Sequence, residues 1–255
     1  MKKVVIIGGA GNVGRTLIHG LMKKHEIIAM DQSFDDPNAE IECIEVDATN
    51  YHELLNKMPK DTDTIINLLA TKTGEPVPEI DKFEKMTDVF FKASYYILLV
   101  ASHYNIPQVI FASSNHVTDY YEEEGNSLLG REINVTDYPY MRSLYGVLKL
   151  ASEQAGFIFS QHRDVSVINI RIASVPPGDE KKAIQEKPRL EKTLLSDKDL
   201  VELFGLAIES KSSFETYYGV SDNDGKPWDT SDATRELGFR SKENSEDVLN
   251  SHKNE

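Results

Sequence analysis

A chain of 255 residues, 40% hydrophobic and 27% charged, suits one globular domain with a small appended lobe. Its formal net charge of −14 argues against a nucleic-acid binder or a protein held on an anionic membrane, and an anionic ligand would need its own local cations. The single cysteine, Cys43, rules out an internal disulfide, and its alternating surroundings Ile41-Glu42-Cys43-Ile44-Glu45 place it in the core, as suits a reducing cytoplasm.

Residues 4–7, the first apolar run, are too few for a signal-peptide core or a membrane span, so a cytoplasmic location is expected. Residues 4–7, 27–30, 41–46, 64–69 and 108–112 read as strands, rich in Val and Ile. Helical patterns fill 12–24, 51–58 and 81–104 between them. Strands alternating with helices predict an α/β fold, a Rossmann-type doubly wound parallel sheet covered on both faces. Further on, a helix is predicted over 143–161, a strand over 165–170, a loop over 174–192, a helix over 197–210 capped by Ser196, and a strand over 214–220. The last fifteen or so residues are polar and expected to fray. This divides the chain into a dinucleotide-binding unit, 1–170, and a small substrate lobe with tail, 171–255, interleaved with the first.

The turn Gly8-Gly9-Ala10-Gly11-Asn12-Val13-Gly14 follows the first predicted strand and opens the first helix. Gly8, Gly11 and Gly14 satisfy G-x-x-G-x-x-G, and Gly9, Gly11 and Gly14 satisfy G-x-G-x-x-G. Glycine permits the tight turn, the close approach of a pyrophosphate and the packing of helix on strand, and the helix N-terminus faces the anion. Gly8, Gly11, Asn12, Val13 and Gly14 are therefore candidate cofactor ligands, with Ala70 after the fourth strand. Asp31 ends the second strand, where a carboxylate accepts from both adenosine ribose hydroxyls and repels a 2′-phosphate. No arginine follows in Gln32-Ser33-Phe34, so NAD is expected rather than NADP. Asp47, after the third strand, is placed to reach the adenine amino group or to serve as a turn residue.

Tyr145 and Lys149 stand at i and i+4, on one face of the predicted helix. A phenol with a pKa of about 10 is a poor base near neutrality. A nearby cation favours the phenolate, so Lys149 is expected to lower the tyrosine and to hold the nicotinamide ribose. The strand end Val109–His116 offers Ser114 to hold a substrate oxygen, whereas Ser113 reads as a buried serine bonded to backbone. His116 reads as a donor to sugar hydroxyls, since the tyrosine fills the role of base. His19, His25, His52, His103, His162 and His252 show no metal-binding spacing, and no metal is expected. Trp228 reads as a structural side chain.

Together these residues resemble an extended short-chain dehydrogenase/reductase of the NAD-dependent epimerase/dehydratase superfamily. The chain is short for the nucleotide-sugar branch, whose C-terminal lobe is usually larger. It is more similar to uronate dehydrogenases, through FASSNH (111–116), YGVLK (145–149), RIAS (171–174) and DNDGKPWD (222–229). That resemblance implies oxidation of C1 of a hexuronic acid, glucuronate or galacturonate, to the aldarolactone with hydride passing to NAD. It also implies sugar contacts from Ser114, Asn115, His116, Tyr145 and Ser174, and a carboxylate contact from Arg189 if the loop over 176–187 carries an insertion.

The chain departs from the superfamily's N-x-x-G-T-x-N pattern, with Phe90 and Tyr96 where asparagines usually stand, and its segment after the fourth strand is longer and different. A carboxylate substrate on so acidic a protein needs a fork donor, and Arg171 and Arg189 are the candidates near the sheet's carboxyl edge. Arg171, in a strand end, reads as the partner of a buried acid; Arg189 reads either as ligand or as a solvated charge. Two alternatives stand: a sugar or nucleotide-sugar epimerase or dehydratase using NAD transiently, and a non-catalytic NAD(P)-sensing regulator, against which the Tyr145/Lys149 pair speaks. The apolar faces of the helices at 81–104 and 143–161 lead us to expect a homo-oligomer with a small sugar acid as substrate.

Overall fold

The computed structural model describes residues 1–35 and 40–251. In chain order the elements are β1 (Lys3–Ile7), α1 (Asn12–Leu21), β2 (Glu26–Asp31), β3 (Glu42–Glu45), α2 (Tyr51–Lys57), β4 (Thr64–Asn67), α3 (Ile80–Met86), a π-helical turn (Thr87–Lys92) and α4 (Ala93–Tyr104). Then follow β5 (Gln108–Ser114), a 3-10 segment (Asn115–Tyr121), β6 (Glu122–Glu123), β7 (Asn126–Ser127), α5 (Leu144–His162) and β8 (Ser166–Ile172). The chain ends through α6 (Glu180–Glu186), α7 (Leu190–Thr193), α8 (Asp197–Glu209), β9 (Phe214–Gly219), a second π turn (Ala233–Leu237) and α9 (Ser245–Asn250).

Seven strands form one sheet in the order β3-β2-β1-β4-β5-β8-β9, every neighbouring pair parallel. This is the expected doubly wound fold, and its strand order reverses between β1 and β4. The strands are apolar on both faces because both are covered. Ile6, Ala29, Ile66, Ile110 and Ile168 face α1 and α8, through Leu17, Leu21, Leu203 and Phe204. Val5, Ile7, Ile65, Val109 and Val167 face α2, α4 and α5, through Leu54, Ile97, Ala101 and Phe159. Cys43 is half-buried against the first of these clusters. Among the described residues, no helix is long and apolar enough to cross a membrane.

Several expectations are corrected. The boundary placed at residue 170 falls inside β8, while β9, from the part read as interleaved with the first unit, completes the main sheet. The predicted helix over 81–104 is interrupted by the π turn. The predicted loop over 174–192 holds α6, capped by Asp179 on the Lys182 N–H, and α7. The polar tail does not simply fray: Asn244 and Asp247 form a capping box on α9, and Val248 is buried with Ile184, Leu190 and Leu194. Residues 252–255, including His252, lie outside the described residues.

Candidate active site

The carboxyl ends of β1, β4, β5 and β8 converge at one edge of the sheet, the usual ligand position beside a strand-order reversal. At β1 the chain turns at Gly8, whose φ of +88° is the left-handed conformation that glycine tolerates. A Cβ on Gly14 would lie 2.5 Å from the Gly8 carbonyl oxygen and 2.7 Å from that of Gly9, so only glycine lets α1 start against this turn. Gly11 is the N-cap of α1 and no side chain caps it, which leaves first-turn N–H groups free for an anion. Asp31 accepts from the Ala10 N–H at 3.0 Å and the Gln32 N–H at 2.8 Å, an anchored carboxylate at the tip of β2. The cradle and its free amides can donate to a pyrophosphate and the Asp31 carboxylate can accept from ribose hydroxyls, a set that fits a dinucleotide.

Asp47 accepts from the Thr49 N–H at 2.9 Å, the Thr49 hydroxyl at 2.7 Å and Gln32 Nε2 at 3.3 Å. Burial works against its charge, but the hydrogen bonds from Thr49 and Gln32 outweigh it and hold the carboxyl below the usual range. The turn role is thus visible in its contacts, at the same edge of the sheet as Asp31.

Ser114 ends β5, and its Oγ accepts from the His116 N–H at 3.2 Å. Tyr145 and Lys149 lie one turn apart on α5. Lys149 Nζ donates to the Ala112 carbonyl at 2.7 Å and lies 5.2 Å from the centre of the Phe90 ring and 5.8 Å from that of Tyr145. Burial pushes the Lys149 ammonium down to about 8, with Glu153 opposing. Burial also raises the Tyr145 phenol, against a hydrogen bond with Ser114. The expectation that Lys149 lowers the tyrosine is therefore corrected for this arrangement: desolvation governs both groups, and the ammonium is committed to a backbone carbonyl.

Phe90, at the position of a superfamily asparagine, packs edge-on against Tyr145 with ring centres 5.0 Å apart. The π turn around it leaves its carbonyl to accept from Ser94 Oγ at 2.6 Å and Ser152 Oγ at 2.7 Å. His116 also meets Tyr145 edge-on, with ring centres 5.4 Å apart, and its Nδ1 pairs with Asp119 Oδ2 at 2.8 Å. A cavity of about 510 Å³ opens over these residues, lined among others by Ala70, Ser114, Asn115, His116, Arg142, Tyr145, Ser174 and Arg189. Residues 70–76 contribute to one wall, pinned where the Leu144 N–H donates to the Pro76 carbonyl at 3.0 Å.

Two groups that the sequence offered turn inward. Arg171 forms a two-bond fork to Glu153, at 3.0 and 2.8 Å, and both are buried. Burial opposes the guanidinium's charge, but Glu153 outweighs it and holds Arg171 protonated. Ser113 donates to that same carboxylate, not to backbone as expected. Trp228 is fully buried and stacks on Tyr218 at 6.1 Å.

Arg189 does reach the cavity, but already paired. Its Nε and Nη2 bind Glu122 Oε1 and Oε2 at 3.0 and 2.6 Å, and Nη1 donates to Ser174 Oγ at 3.1 Å. It is neither a free ligand nor a solvated charge. Glu122, Asp119, Glu153 and Arg142 were missed in the sequence. Glu153 had a signal, a carboxylate one turn beyond Lys149 on the same predicted helix; Asp119 had another, three residues after His116. Glu122 had none.

Comparison with known proteins agrees with this architecture. Residues 4–183 match the family described as NAD dependent epimerase/dehydratase. The Bacillus subtilis protein YtbQ, itself uncharacterised, is 50% identical over 100% of this chain and 99% of its own. An NAD-dependent glucose-6-phosphate dehydrogenase from Haloferax volcanii is 27% identical over 95% of this chain and 94% of its own. The crystal structure of uronate dehydrogenase from Agrobacterium tumefaciens superposes with a TM-score of 0.81 at 23% identity, covering 100% of this chain and 91% of that one.

Proposed function

The chain belongs to the NAD-dependent epimerase/dehydratase family and is an NAD-dependent sugar oxidoreductase, and we propose that it oxidises C1 of a hexuronic acid to the lactone. The observation that carries this reading is a cavity that gathers Ser114, Tyr145, Asn115 and His116 at the same carboxyl edge of the sheet as the dinucleotide cradle. The matches to uronate dehydrogenases in FASSNH, YGVLK and RIAS support it, as does the likeness to the Agrobacterium enzyme.

Ser114 holds the C1 hydroxyl and Tyr145 removes its proton, while Lys149 fixes the nicotinamide ribose. NAD, when bound, supplies the hydride acceptor. Asn115 and His116 orient the ring hydroxyls, and Asp119 fixes which nitrogen of His116 faces the sugar. Because burial holds the Tyr145 phenol up, the phenolate fraction and with it the initial rate grow as pH rises above neutrality.

One observation favours a second reading, oxidation of a sugar without a carboxylate: Arg189 is already matched by Glu122. The test is NADH production from hexuronates, neutral aldoses, hexose 6-phosphates and nucleotide sugars. A hexuronate should give NADH, and Tyr145→Phe should lower kcat by about 10²-fold or more. Turnover of a nucleotide sugar with no net NADH would replace this reading with the epimerase alternative.

A further inference from the structure

Two arginines line the cavity, and they stand in opposite electrostatic conditions. The fork of Arg189 is closed on Glu122, whose side chain is only 6% exposed. Glu122 Oε1 also accepts from the Gly125 N–H, which ties the pair into the β6–β7 hairpin. A substrate anion that claimed this fork would strand Glu122 as a buried charge, a strongly destabilising outcome.

Arg142, three residues before Tyr145, is held by neutral acceptors. Its Nε donates to the Asp119 carbonyl at 3.0 Å, and its Nη2 to the carbonyls of Tyr120 and Glu122, each at 3.4 Å. Its guanidinium lies over the Tyr120 ring, 5.7 Å from the centre. The nearest carboxylate in its network, Asp119, is occupied by the Arg142 backbone N–H on one oxygen and by His116 on the other. Among the described residues, the Arg142 side chain forms no ion pair. It is thus oriented in advance at the cavity wall, exposed and unpaired with any carboxylate among the described residues, so it can take an anionic ligand without stranding a buried partner.

We propose that Arg142 receives the anionic group at the C6 end of the substrate, a carboxylate or a phosphate ester, and that Arg189 is a strut paired with Glu122. This rests on the C1-oxidation reading, which sets the reacting carbon against Tyr145 and leaves the far end of the sugar for the wall at Arg142.

The test measures kcat/KM for a hexuronate, a hexose 6-phosphate and the neutral hexose, and the affinity of the NADH-loaded protein, which cannot turn them over, for the two anionic sugars by titration calorimetry. In Arg142→Gln the ratio of anionic to neutral kcat/KM should fall at least about tenfold, the scale of one charge-assisted hydrogen bond, with the affinities falling alike. Arg142→Lys should recover part of it. Which anion loses more identifies the natural group. The double variant Glu122→Gln/Arg189→Gln removes the strut without stranding a charge, and it should keep the ratio within about threefold. An unchanged ratio in Arg142→Gln, or its collapse in the double variant alone, overturns the assignment while C1 oxidation stands. If no hexose yields NADH, C1 oxidation fails and calorimetry decides for Arg142. Equal anion affinity in parent and Arg142→Gln, or no anion binding by the parent, then overturns it.

Discussion

Lys149 shows how burial, rather than pairing, sets the chemistry of a single group. Its ammonium meets a carbonyl and two aromatic rings and is pushed down to about 8. The unfolded chain would keep a lysine near its ordinary value of about 10.4. Below pH 8 the folded apoprotein therefore carries the full cost of an ammonium held out of water. As pH rises from there toward the unfolded value, the native lysine sheds its proton first and the cost fades. Lys149→Met removes the titration. At pH 7 the apoprotein of this variant should exceed the parent in stability to urea by about 1–3 kcal/mol. That advantage should shrink by pH 10, and an equal advantage at both pH values would show that the lysine is solvated. Lys149 is thus a site where function opposes stability, which is why the spacing of Tyr145 and Lys149 was legible as chemistry while the direction of the tyrosine's shift was not. Spacing places two groups together, but desolvation depends on Phe90, 59 residues from Lys149 along the chain.

At the scale of elements, the junction of β1 with α1 is the most constrained. Gly14→Ala would drive a methyl into two carbonyl oxygens, at 2.5 and 2.7 Å, and push α1 off the turn that cradles the pyrophosphate. Gly205, inside α8, has only Leu21 Cδ2 at 3.5 Å from its added Cβ. Gly205→Ala should therefore raise stability by about 0.5–1 kcal/mol through helix propensity, whereas Gly14→Ala should lower both the melting temperature and NAD affinity. Fluorescence titration with NAD and thermal melts of the two variants check this, and similar behaviour of both would refute the close-packing argument. The same contrast explains what the sequence showed. The glycine turn, Asp31 and the strand–helix alternation are local patterns, and each was legible. The π turn, α6 and α7 were not, because short turns set by tertiary contacts leave no period. The partner of Arg189 lies 67 residues away in a two-residue strand with no apolar pattern, so the pairing that decides the arginine's role could only come from the fold.

At the scale of the whole molecule, α5 leaves apolar side chains uncovered. On α5, Val147, Ala151, Gln154 and Ile158 follow three- and four-residue spacing, with Val147 45% and Ile158 56% exposed. Tyr95 of α4, 39% exposed, packs edge-on at 5.4 Å against Phe159, the neighbour of Ile158 on α5. Helices that only covered the sheet would turn polar residues outward here, whereas Gln154 is the one polar position of these four. We propose that a second copy of the chain covers this face, α4 and α5 of each protomer packing across a two-fold axis. Charge opposes that assembly, since each copy carries −14. Screening shortens the repulsion to about 8 Å at physiological ionic strength, so the dimer should strengthen as salt is raised. Light scattering at micromolar concentration should give twice the mass of the 28.7 kDa chain in 0.15 M salt. Val147→Glu with Ile158→Glu places like charges across the axis and should give monomers with an unchanged far-ultraviolet circular dichroism spectrum. A parent that stays monomeric as salt is raised would leave these helices as sheet cover alone; a double variant that still dimerises would move the interface elsewhere.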